Sequence, residues 1–571
     1  MSSSSSSLLA PDVYLEILKH LPASRNDDSA VKTLVSCLQA NSRVRSAALY
    51  GPLWKPHYLA RYTHRIEENE KSRLERTRGN WRLMFFERRA LDRKALLLAD
   101  EIRLLAGNSE LRRDKAKEFT TSLSFDVWDA LRLEACLPHG WDWLEVETED
   151  ELLTGSNPPT ATRGHLDSSE VLPRKFWAEA ILGIIVRFNC IDIWSRLFSR
   201  SQPDMSSTLF VRGLTSLSSG YNVSEQEVQL QSRDIYHYFV PQLESYRPPG
   251  SPGFNVLRNC LTFMDSFPHI FLQPNSSSRL APTSLIFVFI IIARFMGIEA
   301  TPVIVASRYH VILWSSDTSK PSYLVDVLSP DEDPVPIAIA QEQLPRGPIV
   351  DAPAALLITT VFGNFATDER VRIENIPQHE ARDAALYVMS MCSTMTVVDA
   401  QGAIDIFAAA PEFCPLDLDA VQLDGVPPVL DSPQREITGQ EVAHFVGMFF
   451  RDEVASAEGC VLGWVFAGDA NRELNGQGVD LLPFKPDKIV FRVLVRDNPQ
   501  LRYVGEHIVP ICPTPQLIRA LYKEYASFGR FFTGVDLNSE RKKGRLLLSK
   551  ELQVHYPDDD DFGAKWVSSE E

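Results

Sequence analysis

The first part of the chain, residues 8–64, carries apolar residues at helical spacing. Val13, Ile17 and Leu21 recur every four residues, a spacing that places them on one face of a helix. Two further stretches of the same kind follow, and the second of them ends at Trp54. The pattern predicts three short helices. Because so small a unit buries little apolar surface, we expect a partner to stabilise it.

The following part, residues 65–250, predicts more helices. Its beginning is strongly charged with one apolar side, and a long apolar helix is predicted from Lys175 to Phe198. Between them, residues 147–170 are rich in Thr, Ser, Gly, Pro and acidic residues, a composition typical of an exposed loop. We interpret the charged positions of this part as a solvated helical face.

The central part, residues 251–410, mixes helix and strand patterns. Its most apolar stretch, Leu285–Ala293, is too short to cross a membrane and predicts a buried helix. Strands are predicted after it, and His310 and Asp326 fall on two neighbouring ones. A His oriented by a carboxylate is the pair that activates a nucleophile in many hydrolases.

Near Val446 the spacing of apolar residues changes to two. Four strands are predicted, at residues 447–451, 459–465, 488–496 and 502–509. Glycines at the bends predict that these strands form a small curved β-barrel. An amphipathic helix is predicted within residues 515–532, and the acidic run Asp558–Asp561 predicts a solvated tail.

A chain of 571 residues is too long for one compact core. The patterns together predict a multidomain α+β protein. Its predicted parts are a disordered tail (1–7), an N-terminal helical module (8–64), a helical region (65–250), a mixed α+β domain (251–410), a linker (411–440), a small β-barrel domain (441–556) and an acidic tail (557–571).

Composition narrows the classes of function. Lys and Arg number 58 against 75 Asp and Glu, a net charge of −17, so DNA binding is disfavoured and would need a local basic patch. The eight Cys residues form no CxxC pair, which indicates neither a disulfide framework nor a zinc site. We expect no metal, no cofactor and no membrane association, and a location in the cytoplasm, the nucleus or both.

The N-terminal module resembles an F-box. Residues 11–22 (PDVYLEILKHLP), followed by Asn41–Arg45 and by Leu53-Trp54, carry the resemblance. It implies binding to the Skp adaptor, and through the adaptor to a cullin-RING ubiquitin ligase. The residues that the resemblance assigns to adaptor binding are Pro11, Val13, Leu15, Ile17, Leu18, Leu21 and Trp54.

The central domain resembles the transglutaminase-like core of SirB-type proteins. Arg294–Gly297, His310–Leu313 and Val325-Asp326 match that pattern. In active members a Cys stands about fifteen residues before the glycine that ends the helix, and here that position is Pro282. Proline has no nucleophilic group, so thiol chemistry is not available there. We therefore expect a degenerate site made of Pro282, His310 and Asp326, and a protein that is not an enzyme.

The C-terminal part resembles the YccV-like domain, also called the hemimethylated-DNA-binding domain. The residues of its signature are Gly447, Phe449, Gly463, Trp464, Val493, Asp497, Tyr503, Val504 and Glu506. We expect Phe449, Trp464 and Phe491 to lie in the barrel core, not on a face that stacks on bases.

The three resemblances imply a substrate-recognition subunit of an SCF-type (Skp–cullin–F-box) ubiquitin ligase. The transglutaminase-like and YccV-like domains would bind an unknown protein substrate. Two alternatives stay open. One is an enzyme in which His310 and Asp326 act with an unrecognised nucleophile, and the other is a DNA-binding regulator that uses the barrel.

Overall fold

The computed structural model of the chain describes residues 10–105, 109–136, 170–197, 215, 224, 226–228, 282–295, 297–305, 308–315, 321–327, 334–339, 350–351, 442–452, 455, 457–476, 484–496, 498–525, 527–538 and 541–569. Several predictions lie outside these residues. They concern the N-terminal tail at 1–7, the linker at 411–440, all but the last residue of the loop at 147–170, and Asp497.

The chain forms two compact units. One comprises Met1–Leu182 together with Leu418–Glu571, and the other comprises Gly183–Asp417. The N-terminal helices and the C-terminal strands therefore share a unit although the second unit separates them in sequence. Sequence patterns placed them in separate domains, because such patterns record only neighbours along the chain.

Short helices build the N-terminal part of the first unit. They are α1 (Pro11–Lys19), α2 (Ser29–Gln39), α3 (Ser42–Ala48), α4 (Gly51–Arg61), α5 (Glu67–Arg76), α6 (Trp81–Leu104), α7 (Ser109–Glu118) and α8 (Trp128–Ala135), with a π turn (Phe119–Leu123) and a 3₁₀ turn (Ser124–Asp126) before α8. The long helix α9 (Val171–Leu197) begins in this unit. The predicted helix at residues 175–198 is confirmed.

Four helices, not three, occupy residues 11–61. Asn41 caps α3 by accepting hydrogen bonds from the amides of Arg43 and Val44, each at 3.1 Å. Pro52 lies in the first turn of α4, where the missing amide hydrogen costs no bond. The Gly51-Pro52 pair therefore starts a new helix inside the stretch predicted as one.

The boundary predicted after residue 64 lies inside a single core. Leu34 and Trp54 of the N-terminal helices are buried in the same cluster as Met84 and Phe85 of α6. We call this cluster the helical core. The F-box-like segment by itself buries too little surface, and α6 supplies the missing part.

The C-terminal β domain contains a five-stranded antiparallel sheet and a hairpin. The strands are β6 (Phe449–Asp452), β7 (Ala457–Phe466), β8 (Ile489–Val495), β9 (Asn498–Val504), β10 (Ile508–Pro510), β11 (Phe532–Asn538) and β12 (Lys543–Leu548). The sheet order is β10-β6-β7-β8-β9, and β11 pairs with β12. The first three predicted strands are confirmed. The fourth is two strands, separated at Gly505.

Helices complete this domain. They are α11 (Ala467–Gly476), α12 (Pro515–Glu524), α13 (Phe528–Phe531), α14 (Lys550–His555) and α15 (Asp559–Ser568). The apolar side of α12 buries Leu517, Ile518 and Leu521 in the core of the domain.

The prediction of a solvated acidic tail at 557–571 is wrong in part: Asp558 and Asp561 are exposed, but residues 559–568 form a helix that packs against the β domain. Asp559 is buried and accepts a hydrogen bond from the amide of Val446 at 2.7 Å. Arg545 donates to the carboxylate of Asp560 at 2.7 Å. The acidic run is the first turn of α15, where negative charge is stabilised by the helix dipole.

The second unit contains a helix and a five-stranded antiparallel sheet. Helix α10 (Pro282–Phe295) precedes β1 (Glu299–Val305), β2 (Arg308–Trp314), β3 (Tyr323–Val325), β4 (Val335–Pro336) and β5 (Val350–Asp351), in the order β4-β3-β2-β1-β5. The α+β class is therefore confirmed. Among the described helices, none has both the length and the apolar character needed to cross a membrane.

Candidate functional site

The surface of α1 exposes apolar side chains on a folded support. Val13 is 43% and Ile17 is 54% exposed, while Leu18 of the same helix is buried in the helical core. Helix α1 packs on α3, and Tyr50, which follows α3, is 48% exposed. We call Val13 and Ile17, which lie one turn apart on the same side of α1, the α1 patch. Apolar side chains grouped in this way favour contact with a partner.

The structure divides the seven predicted adaptor-binding residues. Pro11, Val13 and Ile17 are exposed, and Leu15 and Leu21 are half-buried. Leu18 and Trp54 are buried, so their assignment as contact residues is corrected. They support the patch from inside.

Trp54 shows how this support is built. Its ring is fully buried and lies 5.7 Å from Phe85 and 5.4 Å from Phe86 of α6, measured between ring centroids. Its indole nitrogen donates a hydrogen bond to the carbonyl of Ala48 at 2.8 Å. Both its apolar surface and its polar group are therefore satisfied within the helical core.

Charged side chains lie next to the patch on α1, among them the exposed Asp12. Glu16 and Lys19 form an ion pair at 2.9 Å on the surface of α1. The hydrogen bond from Lys19 and its charge lower the pKa of Glu16. An exposed pair of this kind contributes little to stability. Its effect is to place one negative and one positive charge next to the apolar side chains.

Asp129 fixes the chain where it leaves α4. Its carboxylate accepts hydrogen bonds from the amides of Thr63 at 2.8 Å and His64 at 2.9 Å, and from the hydroxyl of Thr63 at 2.6 Å. Arg25, between α1 and α2, donates to it at 3.0 Å. Burial alone would raise the pKa of Asp129, but bonding to His64 and Thr63 and the charge of His64 lower it to about 2. The F-box-like helices are thus tied to α8 through one carboxylate.

Asp126 likewise connects separate elements, in this case α5 and α6. It accepts hydrogen bonds from Arg73 at 3.1 Å and Arg88 at 3.2 Å, both buried, and from the side-chain amide of Asn69 at 2.9 Å. Arg88 also donates to the carbonyl of His64 at 3.0 Å. The buried charges are therefore paired, as buried charges must be.

His310 and Asp326 are brought together in the second unit. Val311 pairs with Val325 between antiparallel β2 and β3, which places the two polar residues side by side. The Nε2 atom of His310 lies 3.9 Å from Oδ2 of Asp326, and both side chains are largely buried. This distance is longer than a hydrogen bond, so the two side chains lie beside each other without a hydrogen bond joining them.

Pro282 is the first residue of α10, the position predicted for the lost nucleophile. Ser284 and Cys260 also carry nucleophilic groups, but the side chain of Ser284 and all of Cys260 lie outside the described residues. Within the described residues, no group of three His, Cys, Asp or Glu side chains could hold a metal ion.

Most of the YccV-like signature residues that the structure describes are buried or half-buried in the β domain. Phe449, Trp464 and Val493 are buried in the core of the β domain, together with Phe491. Tyr503 and Val504 are half-buried, and Glu506 is exposed. Gly447 has a φ of +86°, and a Cβ there would lie 2.5 Å from the carbonyl of Leu546. Only glycine fits where β12 comes this close to the chain.

A β-bulge at Leu462 comes directly before the Gly463-Trp464 pair, and the Tyr556 hydroxyl lies against this pair. The register between β7 and β8 shifts between Val461 and Gly463, and the Tyr556 hydroxyl accepts a hydrogen bond from the amide of Trp464 at 3.2 Å. A Cβ on Gly463 would lie 2.4 Å from this hydroxyl. The glycine is therefore required by the close approach of the phenol.

Sequence reasoning missed a buried cluster between the N-terminal helices and the β domain. Glu551 of α14 accepts hydrogen bonds from Arg530 at 2.7 Å and from Arg112 at 3.4 Å, across 439 residues. Trp177 of α9 lies next to both arginines. No local signal in the sequence indicates this cluster, since its members lie in four separate segments.

Comparison of the chain with protein-family models found no match, and comparisons with curated proteins and with solved structures found none either. The resemblances to the F-box, to the transglutaminase-like core and to the YccV-like domain therefore rest on the motifs themselves.

Proposed function

We propose that the protein is a substrate receptor of an SCF-type ubiquitin ligase. In this proposal α1 binds the Skp adaptor, and the central and C-terminal domains hold a protein substrate while the partner enzymes transfer ubiquitin to it. The order of the three parts resembles that of F-box only protein twenty-one. Such a receptor acts in the cytoplasm or the nucleus.

The observation that carries the proposal is the α1 patch. Val13 and Ile17 are exposed on a helix whose other side is anchored in a well-packed core. Covering an exposed Val or Ile side chain contributes about 1.5–3 kcal/mol. Because Val13 and Ile17 are already about half covered in the free protein, the two together account for about 1.5–3 kcal/mol of adaptor affinity, which is roughly tenfold to a hundredfold in Kd.

Nucleic-acid binding is not favoured by the β domain. The rings of Phe449, Trp464 and Phe491 are fully buried, so they offer no face on which bases could stack. His310 and Asp326 lie beside each other without a hydrogen bond between them, and we propose no reaction for them.

The test is a titration of the intact protein with recombinant Skp adaptor. The variant Val13→Glu/Ile17→Glu changes only exposed positions, so we expect it to fold as the native chain does and to bind at least about tenfold more weakly. The control is Leu97→Glu, since Leu97 of α6 is 65% exposed outside the patch. We expect this control to bind like the native protein.

Two results would contradict the proposal. One is the absence of a complex between the adaptor and the intact, folded protein. The other is equal affinity of the adaptor for the native chain and for the double variant, which would mean that the adaptor binds elsewhere.

A further inference from the structure

A buried cluster of four side chains connects α7 and α9 to the C-terminal β domain. We name Arg112, Trp177, Arg530 and Glu551 the joint. All four side chains are buried. Arg112 and Trp177 come from the N-terminal part of the first unit, and Arg530 and Glu551 come from the β domain.

Glu551 is the centre of the joint. Arg530 donates to it through Nε, at 3.1 Å from each carboxylate oxygen, and through Nη2 at 2.7 Å. Arg112 adds a donor from α7 at 3.4 Å. Burial alone would raise the pKa of Glu551, but the charges and hydrogen bonds of the two arginines hold it below its usual value. The carboxylate is therefore ionised at neutral pH.

Trp177 supplies the apolar part of the joint. The guanidinium carbon of Arg112 lies 4.8 Å from the centroid of its ring, and that of Arg530 lies 5.2 Å from it. Cation–π contacts of this kind are strongest where water is excluded. Next to them, Leu172 of α9 belongs to the apolar core of the β domain.

The joint continues to the helical core. The Nε atom of Arg112 donates to the carbonyl of Ile102 in α6 at 3.1 Å. From there α6 extends back to Met84 and Phe85. These two residues belong to the helical core, in which Leu18 of α1 is also buried. Packed elements therefore connect the patch with Glu551 without a break.

We infer that the joint is a positioning device, which holds the C-terminal β domain at a fixed distance from the α1 patch. Its role in placing a bound substrate relative to the ligase depends on the proposed function, but the fixed distance itself does not. A charge that loses its buried partner is strongly unfavourable, so the two parts separate when α7 presents a repelling charge to Glu551.

The experiment measures the distance between spin labels at residues 32 and 523 in the intact chain. Lys32 of α2 and Lys523 of α12 are exposed and lie outside both the α1 patch and the joint. The test variant is Arg112→Glu, and the matched control is Lys117→Glu, the same charge reversal at a partly exposed position on α7.

We expect one narrow distance distribution for the native chain and for Lys117→Glu, and at least a twofold broader one for Arg112→Glu. The inference is overturned if Arg112→Glu keeps the narrow distribution or if the native chain is already broad. Should Arg112→Glu fail to fold, Arg112→Met serves instead, because it removes the hydrogen bonds from Arg112 to Glu551 and to the carbonyl of Ile102 without adding a charge, and we expect it to broaden the distribution as well. The same two results are decisive for it.

Adaptor titration of the same samples separates the two proposals. We expect the adaptor to bind Arg112→Glu within about twofold of the native chain, because the α1 patch is unchanged. If the native chain does not bind the adaptor, the proposed function is refuted and the distance result remains valid.

Discussion

Replacing Asp129 by Asn tests whether one carboxylate ties the F-box-like helices to α8. The change keeps the size of the side chain but removes its charge, and it places an NH₂ group where donors now converge. Those donors are the amides of Thr63 and His64, at 2.8 and 2.9 Å, and the guanidinium of Arg25 at 3.0 Å. At least one buried donor then lacks an acceptor.

The size of the effect follows from the pKa of Asp129. Its fall from the ordinary 3.8 to about 2 corresponds to about 2 kcal/mol of stabilisation at pH 7. Because the pKa is lower in the folded state, this stabilisation is fully present above the unfolded value. It is lost as the pH falls through the folded value, and about 1 kcal/mol remains at pH 3.

The assay is urea unfolding of the native chain and of Asp129→Asn at pH 7 and at pH 3. Fluorine NMR of incorporated fluorotryptophan monitors the unfolding. The resonance of Trp128, assigned with a Trp128→Phe variant, reports on this site because its ring stacks on His64 at 5.1 Å. We expect the variant to be less stable by about 2–3 kcal/mol at pH 7 and by about 1 kcal/mol less than that at pH 3.

The control for this experiment is Asp114→Asn. The Asp114 side chain is exposed and pairs with Lys117 on the surface, so its replacement should change stability by less than about 0.5 kcal/mol at either pH. A difference between native chain and Asp129→Asn that is equal at the two pH values would refute the reasoning, since the charge would then contribute nothing.

Three further predictions concern stability. Deleting residues 557–571 removes α15 from the β domain, and we expect its melting temperature to fall by more than about 5 °C in a calorimetric scan. Gly463→Ala should cost about 1–3 kcal/mol because its Cβ would meet the hydroxyl of Tyr556; a cost that persists in a Tyr556→Phe background would contradict this cause. Trp54→Ala should cost about 3–5 kcal/mol in urea unfolding, whereas Ile17→Ala, at an exposed position, should change stability by less than about 0.5 kcal/mol. Equal costs for the last two would be inconsistent with the burial described.

Elements with strong periodicity could be predicted from the sequence. The strands at Phe449, Trp464 and Val493 could be predicted from short apolar segments, although β8 buries every residue from Ile489 to Val495 and does not alternate. The acidic run at Asp559 could not be placed in this way. Its carboxylate accepts from the amide of Val446, and such a partner is absent from any local pattern.

The joint could not be predicted from the sequence for the same reason. Arg112 and Glu551 are separated by 439 residues, and each of them is locally an ordinary charged residue of a helix. Charge in a helix usually indicates a solvated face. The structure reverses this expectation, because both side chains are buried and the guanidinium of Arg112 lies over the ring of Trp177.

The division of the F-box motif into exposed and buried residues has a consequence for its interpretation. The sequence motif does not distinguish exposed residues from buried ones. Ile17 is exposed and Trp54 is buried, but both are apolar and both fit helical spacing. Their roles differ physically: an exposed apolar side chain gains from a partner, whereas a buried one has already gained from its own core. The loss of adaptor binding in a Trp54 variant would therefore report unfolding, and only substitutions such as Ile17→Glu can test the contact itself.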